Sequence, residues 1–163
     1  MTKRRKTSSN DPSAPPEALG QLAQYFAAQL AASRVSSTVD AAQEIMFDAW
    51  ECDDRRKRVS MARKALKISA DCADAYVMLA EETADTPEQA VELYAQGVAA
   101  GGRALGAAAF EEDVGIFWGL LETRPYMRAR FGLALALWDA GRAAEAIGHA
   151  EAGDELPEGW NAS

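Results

Sequence analysis

A period of 34 residues constrains this chain more than any other feature. With position 1 of the frame at Val39, the next unit opens at Ala73, and Tyr76, Leu79, Ala80 and Thr83 fall at its positions 4, 7, 8 and 11. With two residues removed from the turn between its helices, Ala90, Tyr94 and Gly97 take positions 20, 24 and 27. A third unit from Met127 puts Leu133, Ala134 and Leu137 at positions 7, 8 and 11, Gly141 at 15 and Ala146 at 20. The first unit matches least well, with Ala42, Ile45, Met46, Ala49 and Arg58 at 4, 7, 8, 11 and 20. Each unit is a pair of amphipathic helices, here A and B, that cannot bury its apolar side alone and must stack on a neighbour. Small residues at 8 and 20 let A and B approach closely, and large residues at 4, 7, 11 and 24 fill the space between them.

Local signals agree with helices. Alanine takes 35 positions while Val, Ile and Thr together take 17, a balance that favours helix and leaves little for a sheet. Leu19, Leu22, Tyr25, Phe26 and Leu30 predict a first helix over about 16–32. Ser36 to Thr38 reads as a break, with Ser37 and Asp40 as a capping box for the helix carrying Val39 to Ala49. Asp53 and Asp54 precede the next helix, and Asp71 reads as the cap of the one after it. Thr86-Pro87-Glu88-Gln89 is the clearest start signal: the threonine accepts a free amide, proline sits where no donor is needed and the glutamine reaches back. That helix is expected to fray at Gly101-Gly102, and residues 105–126 look like an irregular insertion. Gly141 reads as a left-handed cap.

The expected architecture is therefore all-α: antiparallel helix pairs stacked as a short right-handed solenoid. One helical domain spans 16–152, with units at about 39–72, 73–104 and 127–152. Residues 1–15, with Lys3, Arg4, Arg5 and Lys6, read as a disordered basic tail, and 153–163, with Gly153 and Pro157, as an irregular one. The repeat slots resemble those of tetratricopeptide repeats. More specifically, Asp71-Cys72-Ala73-Asp74-Ala75-Tyr76 with Leu79-Ala80-Glu81-Glu82, the block Phe110 to Gly115 with Phe117-Trp118-Gly119, and Glu122 to Ala129 resemble bacterial tetratricopeptide proteins related to the suppressor-of-tumorigenicity group. The resemblance implies a helical scaffold without a defined catalytic residue. The chain departs from that pattern at Gly102, Ile116 and Ala150, where the family would carry Glu, His and an aromatic.

Catalytic machinery is not expected. The single histidine, His149, lies late in the last helix with no G-x-S-x-G serine, and Cys52 and Cys72 lack the partners of a zinc site. Gly101 and Gly106 have phosphate-loop spacing, but Ala107 replaces the required lysine. Glu111, Glu112 and Asp113 read as the acidic first turn of a helix rather than as metal ligands. No enzyme activity, metal or cofactor is expected. With two cysteines, no secretory leader pattern and no run of apolar residues that spans a bilayer, the expectation is a cytoplasmic protein with no membrane partner.

A protein or peptide partner is expected instead, on the face formed by A-helix positions 2, 5, 9, 12 and 13. This places Phe47 and Trp50 in the first unit, Val77 and Glu81 in the second, and Arg128, Phe131, Leu135 and Trp138 in the third. The face carries aromatics and acids, suited to a hydrophobic or basic segment. The alternative is a nucleic-acid- or ribosome-associated factor working through the basic tail and the cluster Arg55, Arg56, Lys57 and Arg58, although a net charge of −8 makes nucleic acid an unlikely partner. If the last unit leaves Leu133, Leu137 and Trp138 open, a homodimer through that unit follows.

Overall fold

The computed structural model describes residues 16–112 and 120–151. Within them the chain is all-helical: α1 Pro16–Trp50, α2 Arg55–Ile68, α3 Ala73–Thr83, α4 Pro87–Glu112, α5 Arg124–Asp139 and α6 Ala143–Glu151. The basic tail, part of the expected insertion (113–119) and the irregular C-terminus lie outside the described residues. The chain divides into two compact units, Met1–Arg34 and Val35–Ser163. In the first unit, Leu22, Tyr25, Phe26 and Leu30 form the expected stripe and are all exposed, with Tyr25 and Phe26 edge to face at 5.9 Å.

The second unit is built on caps that the sequence announces. The Asp54 carboxylate accepts from the amides of Arg56 and Lys57 at the start of α2. Thr86 Oγ1 accepts from the Gln89 amide, and Gln89 Oε1 reaches back to the Asp85 amide. Gly141, at φ 75°, closes α5: its amide donates to the Trp138 carbonyl, and the Arg142 amide donates to that of Leu137.

Four local expectations are corrected. Ser36 to Thr38 are helical, and Ser36 donates to Asp40 instead of marking a break. Cys72, not Asp71, holds the cap position of α3, because the Asp71 carboxylate is drawn 32 residues along the chain to Arg103 at 2.7 Å. The helix does not fray at Gly101-Gly102; the break is at Gly106, at φ 75° and ψ 167°. Gly101 is held by packing: Tyr126 lies so close that a β-carbon there would meet that of Tyr126 at 2.9 Å. Glu111 and Glu112 therefore end α4 instead of opening a helix.

Close approaches at small residues set the register. Gly97 faces Ala129 on α5 and Ala73 and Tyr76 on α3, Gly101 faces Tyr126, and a β-carbon on Gly132 would overlap the Tyr94 ring. As numbering rises along α4 it falls along α5, so these helices are antiparallel. Tyr94 lies within electrostatic reach of Glu81 while Gly97 lies at Ala73, so α3 also runs against α4 and along α5. Two apolar clusters follow. Ala42, Met46, Ala49, Ala62, Ala65, Cys72, Ala75, Met78 and Leu79 join α1, α2 and α3. Leu133, Leu137 and Ala146, with Val91, Tyr94 and Val98, join α4, α5 and α6.

Candidate functional site

Three helices meet at a buried carboxylate. Asp74, in the first turn of α3, is fully buried. Its oxygens accept from Gln43 Nε2 of α1 at 2.6 Å and from Arg128 Nε and a terminal nitrogen of the Arg128 guanidinium, on α5, at 2.8 and 2.5 Å. A buried carboxylate is tolerable only with such partners. Sequence reasoning put Arg128 on a binding face and missed that it is committed to Asp74. The available signal was the opposite charge at position 2 of consecutive units.

A second polar junction ties the far ends of α1 and α3. Arg58 donates to the Cys52 carbonyl just beyond α1 at 2.9 Å and to Glu82 in the last turn of α3 at 2.7 Å. Arg55 bonds both the Glu82 carbonyl and its carboxylate. Two of the four residues in the basic cluster Arg55 to Arg58 are thus paired with Glu82, Arg58 half-buried and Arg55 on the surface. Since Gln43 pairs with Asp74 and Cys52 is linked to Glu82, α1 and α3 also run in the same direction.

An apolar face runs along α5 beyond Arg128. Phe131, Leu135 and Trp138, at spacings of four and three on α5, are 61%, 52% and 60% exposed. The opposite side of the same helix buries Tyr126, Met127, Ala129, Leu133, Ala136 and Leu137. Phe47 and Trp50, three apart near the end of α1, are exposed as well. Val77 is a correction: at 2% exposure it belongs to the interior, because α3 is packed on both sides, by α2 and by α4 and α5. Leu133 and Leu137 are likewise buried, under α4 and α6, so the large apolar side chains left open in the third unit are Phe131, Leu135 and Trp138 on α5 and Ile147 on α6. Glu81 is exposed, yet partial burial first, then the charges of Glu82 and Asp74, raise its pKa against the opposing pull of Arg128 and Arg58.

Other groups offer little chemistry. A cleft of about 390 Å³ is lined by Val98, Tyr126, Arg130, Glu145, Gly148 and His149. Arg130 there donates to the His149 carbonyl and the Tyr126 hydroxyl, and the lining holds no serine or cysteine. Burial pushes the Cys72 thiol up to about 11, far from a nucleophile's range. Among the described residues no group of three metal-binding side chains gathers, and no helix is long and apolar enough to cross a membrane.

Residues 23–109, more than half the chain, match the family model of the ST7 protein. The chain is 45% identical over 53 residues to a protein ST7 homolog of Caenorhabditis elegans, 32% of this chain and 10% of that protein. It is 38% identical over 77 residues to a suppressor of tumorigenicity 7 protein-like of Gallus gallus, 47% of this chain and 13% of that one. The human suppressor of tumorigenicity 7 protein-like is 42% identical over 57 residues, 35% of this chain and 10% of that protein. Each match spans only about a tenth of the relative's length. No solved structure matches the chain. The chain belongs to the ST7 family; of the motifs that carry the resemblance, Asp71 to Glu82 lies inside the matched residues, and the blocks between Phe110 and Ala129 lie beyond them.

Proposed function

We propose that this ST7-family chain is a non-catalytic scaffold of tetratricopeptide-like helix pairs that binds a protein or peptide segment along the A helices α1, α3 and α5. The carrying observation is the row Phe131, Leu135 and Trp138, each more than half exposed on a helix whose other side is tightly packed. Large apolar side chains exposed in a contiguous row on one helix mark a contact surface more often than scattered ones do. The repeat reading is supported by three features. Ala80 at position 8 and Ala146 at position 20 are buried, Leu79, Leu133 and Leu137 at positions 7 and 11 are core, and successive A helices run in one direction. The nucleic-acid reading draws less support, since Arg55 and Arg58 are occupied by Glu82.

The test is affinity capture followed by mass spectrometry with the parent chain and Trp138→Ala. Specific partners should be lost with helical circular dichroism and melting temperature unchanged. Unfolding of the variant, or unchanged capture, would overturn the assignment of this face. Capture that vanishes steeply between low and moderate salt and is replaced by nucleic acid would favour the alternative.

A further inference from the structure

The aromatic face ends on a rim that carries three exposed carboxylates, Glu51, Asp85 and Asp139, outside every ion pair among the described residues, and from this we infer that its occupant is a cationic protein segment, rich in Arg or Lys and interspersed with apolar side chains. This rests on the binding face proposed above and adds the chemistry of what it takes.

The geometry begins at Asp74, where α1, α3 and α5 are joined through Gln43 and Arg128. All three helices leave that junction in one direction. At about 1.5 Å per residue, α1 ends about 10 Å beyond Gln43, α3 about 13 Å beyond Asp74 and α5 about 16 Å beyond Arg128. The Arg58 bridge from Cys52 to Glu82 fixes the first two ends side by side. The three C-termini therefore form one edge.

At that edge the three helices bring no balancing charge of their own; the cations that reach it come from α2, where Arg58 donates to the Cys52 carbonyl and Arg55 to the Glu82 carbonyl. A helix C-terminus carries partial negative charge and is ordinarily matched by Lys, Arg or His. None of these three helices has a basic residue in its last turn. They carry or are followed by Glu51, Asp85 and Asp139, all exposed, and none of the three takes part in an ion pair among the described residues. Glu51 stands one turn beyond Phe47 and Asp139 one turn beyond Leu135, so each carboxylate continues an apolar stripe. Trp50 and Trp138 flank them, and tryptophan is the best face for a guanidinium or ammonium. Arg128, on α5, is already neutralised by Asp74, and Arg142, three residues beyond Asp139, is paired with Glu145. A second copy of the chain, itself at −8, would bring like charge to this edge, which argues against self-association there.

The experiment is selection of displayed random 12-residue peptides against the full chain, followed by anisotropy titration of synthetic winners. Winners should be enriched in Arg and Lys beside apolar residues, and replacing their Arg and Lys by Gln should weaken binding about tenfold or more. E51Q/D139N should weaken them about tenfold, whereas E92Q/E122Q, with the same change in net charge away from the rim, should leave them unchanged. Trp138→Ala should abolish binding. Winners without cationic residues that are still lost in Trp138→Ala would overturn the inference and leave the binding face standing. Equal weakening by the two charge-neutralised variants would also overturn it, because attraction would then be to net charge alone. No winners, or winners indifferent to Trp138→Ala, would remove the face and the inference together.

Discussion

Arg128→Met should destabilise the fold more than Asp74→Asn, although the two residues form one ion pair. The asymmetry comes from where each charge stands. The Asp74 side chain has no exposure, while that of Arg128 keeps 41%. Removing the guanidinium strands a carboxylate with only Gln43 as donor. Breaking a fully buried pair in this way costs about 3–5 kcal/mol, and the partial exposure of Arg128 lowers the expectation to about 2–4 kcal/mol. Asp74→Asn keeps the shape, removes the charge and leaves a guanidinium that water can reach. Its cost should be about 1–2 kcal/mol, the loss of charge-assisted hydrogen bonds. The two sites share one network, so the double variant should cost about 1–3 kcal/mol less than the sum. Urea unfolding followed by circular dichroism measures all four states. If Asp74→Asn costs as much as Arg128→Met, or the double variant is additive, then Asp74 is not the buried partner described here.

Three further outcomes are expected. Ala80→Leu, at 4% exposure, should overpack α3 and cost about 1–3 kcal/mol in urea unfolding; an unchanged midpoint would remove the register built on position 8. Glu81 has a raised folded pKa, so its ionised form opposes folding above both its pKa values; Glu81→Gln should raise the melting temperature near neutral pH, and the advantage should fade in acid, once both states are protonated. In a thiol titration at pH 8 the half-buried Cys52 should react readily and the buried Cys72 only on unfolding, and two fast thiols in the folded protein would contradict the packing of α3.

Signals carried by a few adjacent residues were legible where nothing distant competes with them. Asp54, Thr86-Pro87-Glu88-Gln89 and Gly141 act through amides within a few residues, and the structure uses each as its local chemistry directs. Apart from the break expected at Ser36 to Thr38, where Ser36 pairs with Asp40 inside one helix, these misreadings share one cause, a partner far along the chain. Gly101 has the propensity to break a helix, but Tyr126 packs on it and the break moves to Gly106, where a β-carbon would meet nothing. Asp71 has a capping side chain, but Arg103 takes it. Val77 fits a surface slot by count, but α3 is a central helix with neighbours on both sides, and seven of the eight residues from Ala73 to Ala80 are buried. Arg128 looks like a surface cation until Asp74 is seen across the interface. Helix periodicity marks which face is apolar; it does not say how many faces a helix must bury.

The placement of large and small residues bears on what the scaffold does. Of the twenty buried apolar residues among those described, eleven are alanine, while Phe47, Trp50, Phe131, Leu135 and Trp138 stand exposed. An alanine core follows from the close approaches: helices that meet at Gly97, Gly101 and Gly132 have no room between them for larger side chains. Such a core gains less from water exclusion than a leucine core would, because the stabilisation scales with the apolar area buried, at about 25 cal/mol per Å². The large residues that could add most area are instead left in water at the A-helix face. A segment that covers them binds the folded state and not the unfolded one, so it should stabilise the chain by RT ln(1 + [L]/Kd), about 2.7 kcal/mol at a hundredfold excess over Kd. On the proposed reading, binding and folding stability are coupled through the same five side chains, and removing Trp138 should abolish the stabilisation by a ligand without lowering the stability of the free chain.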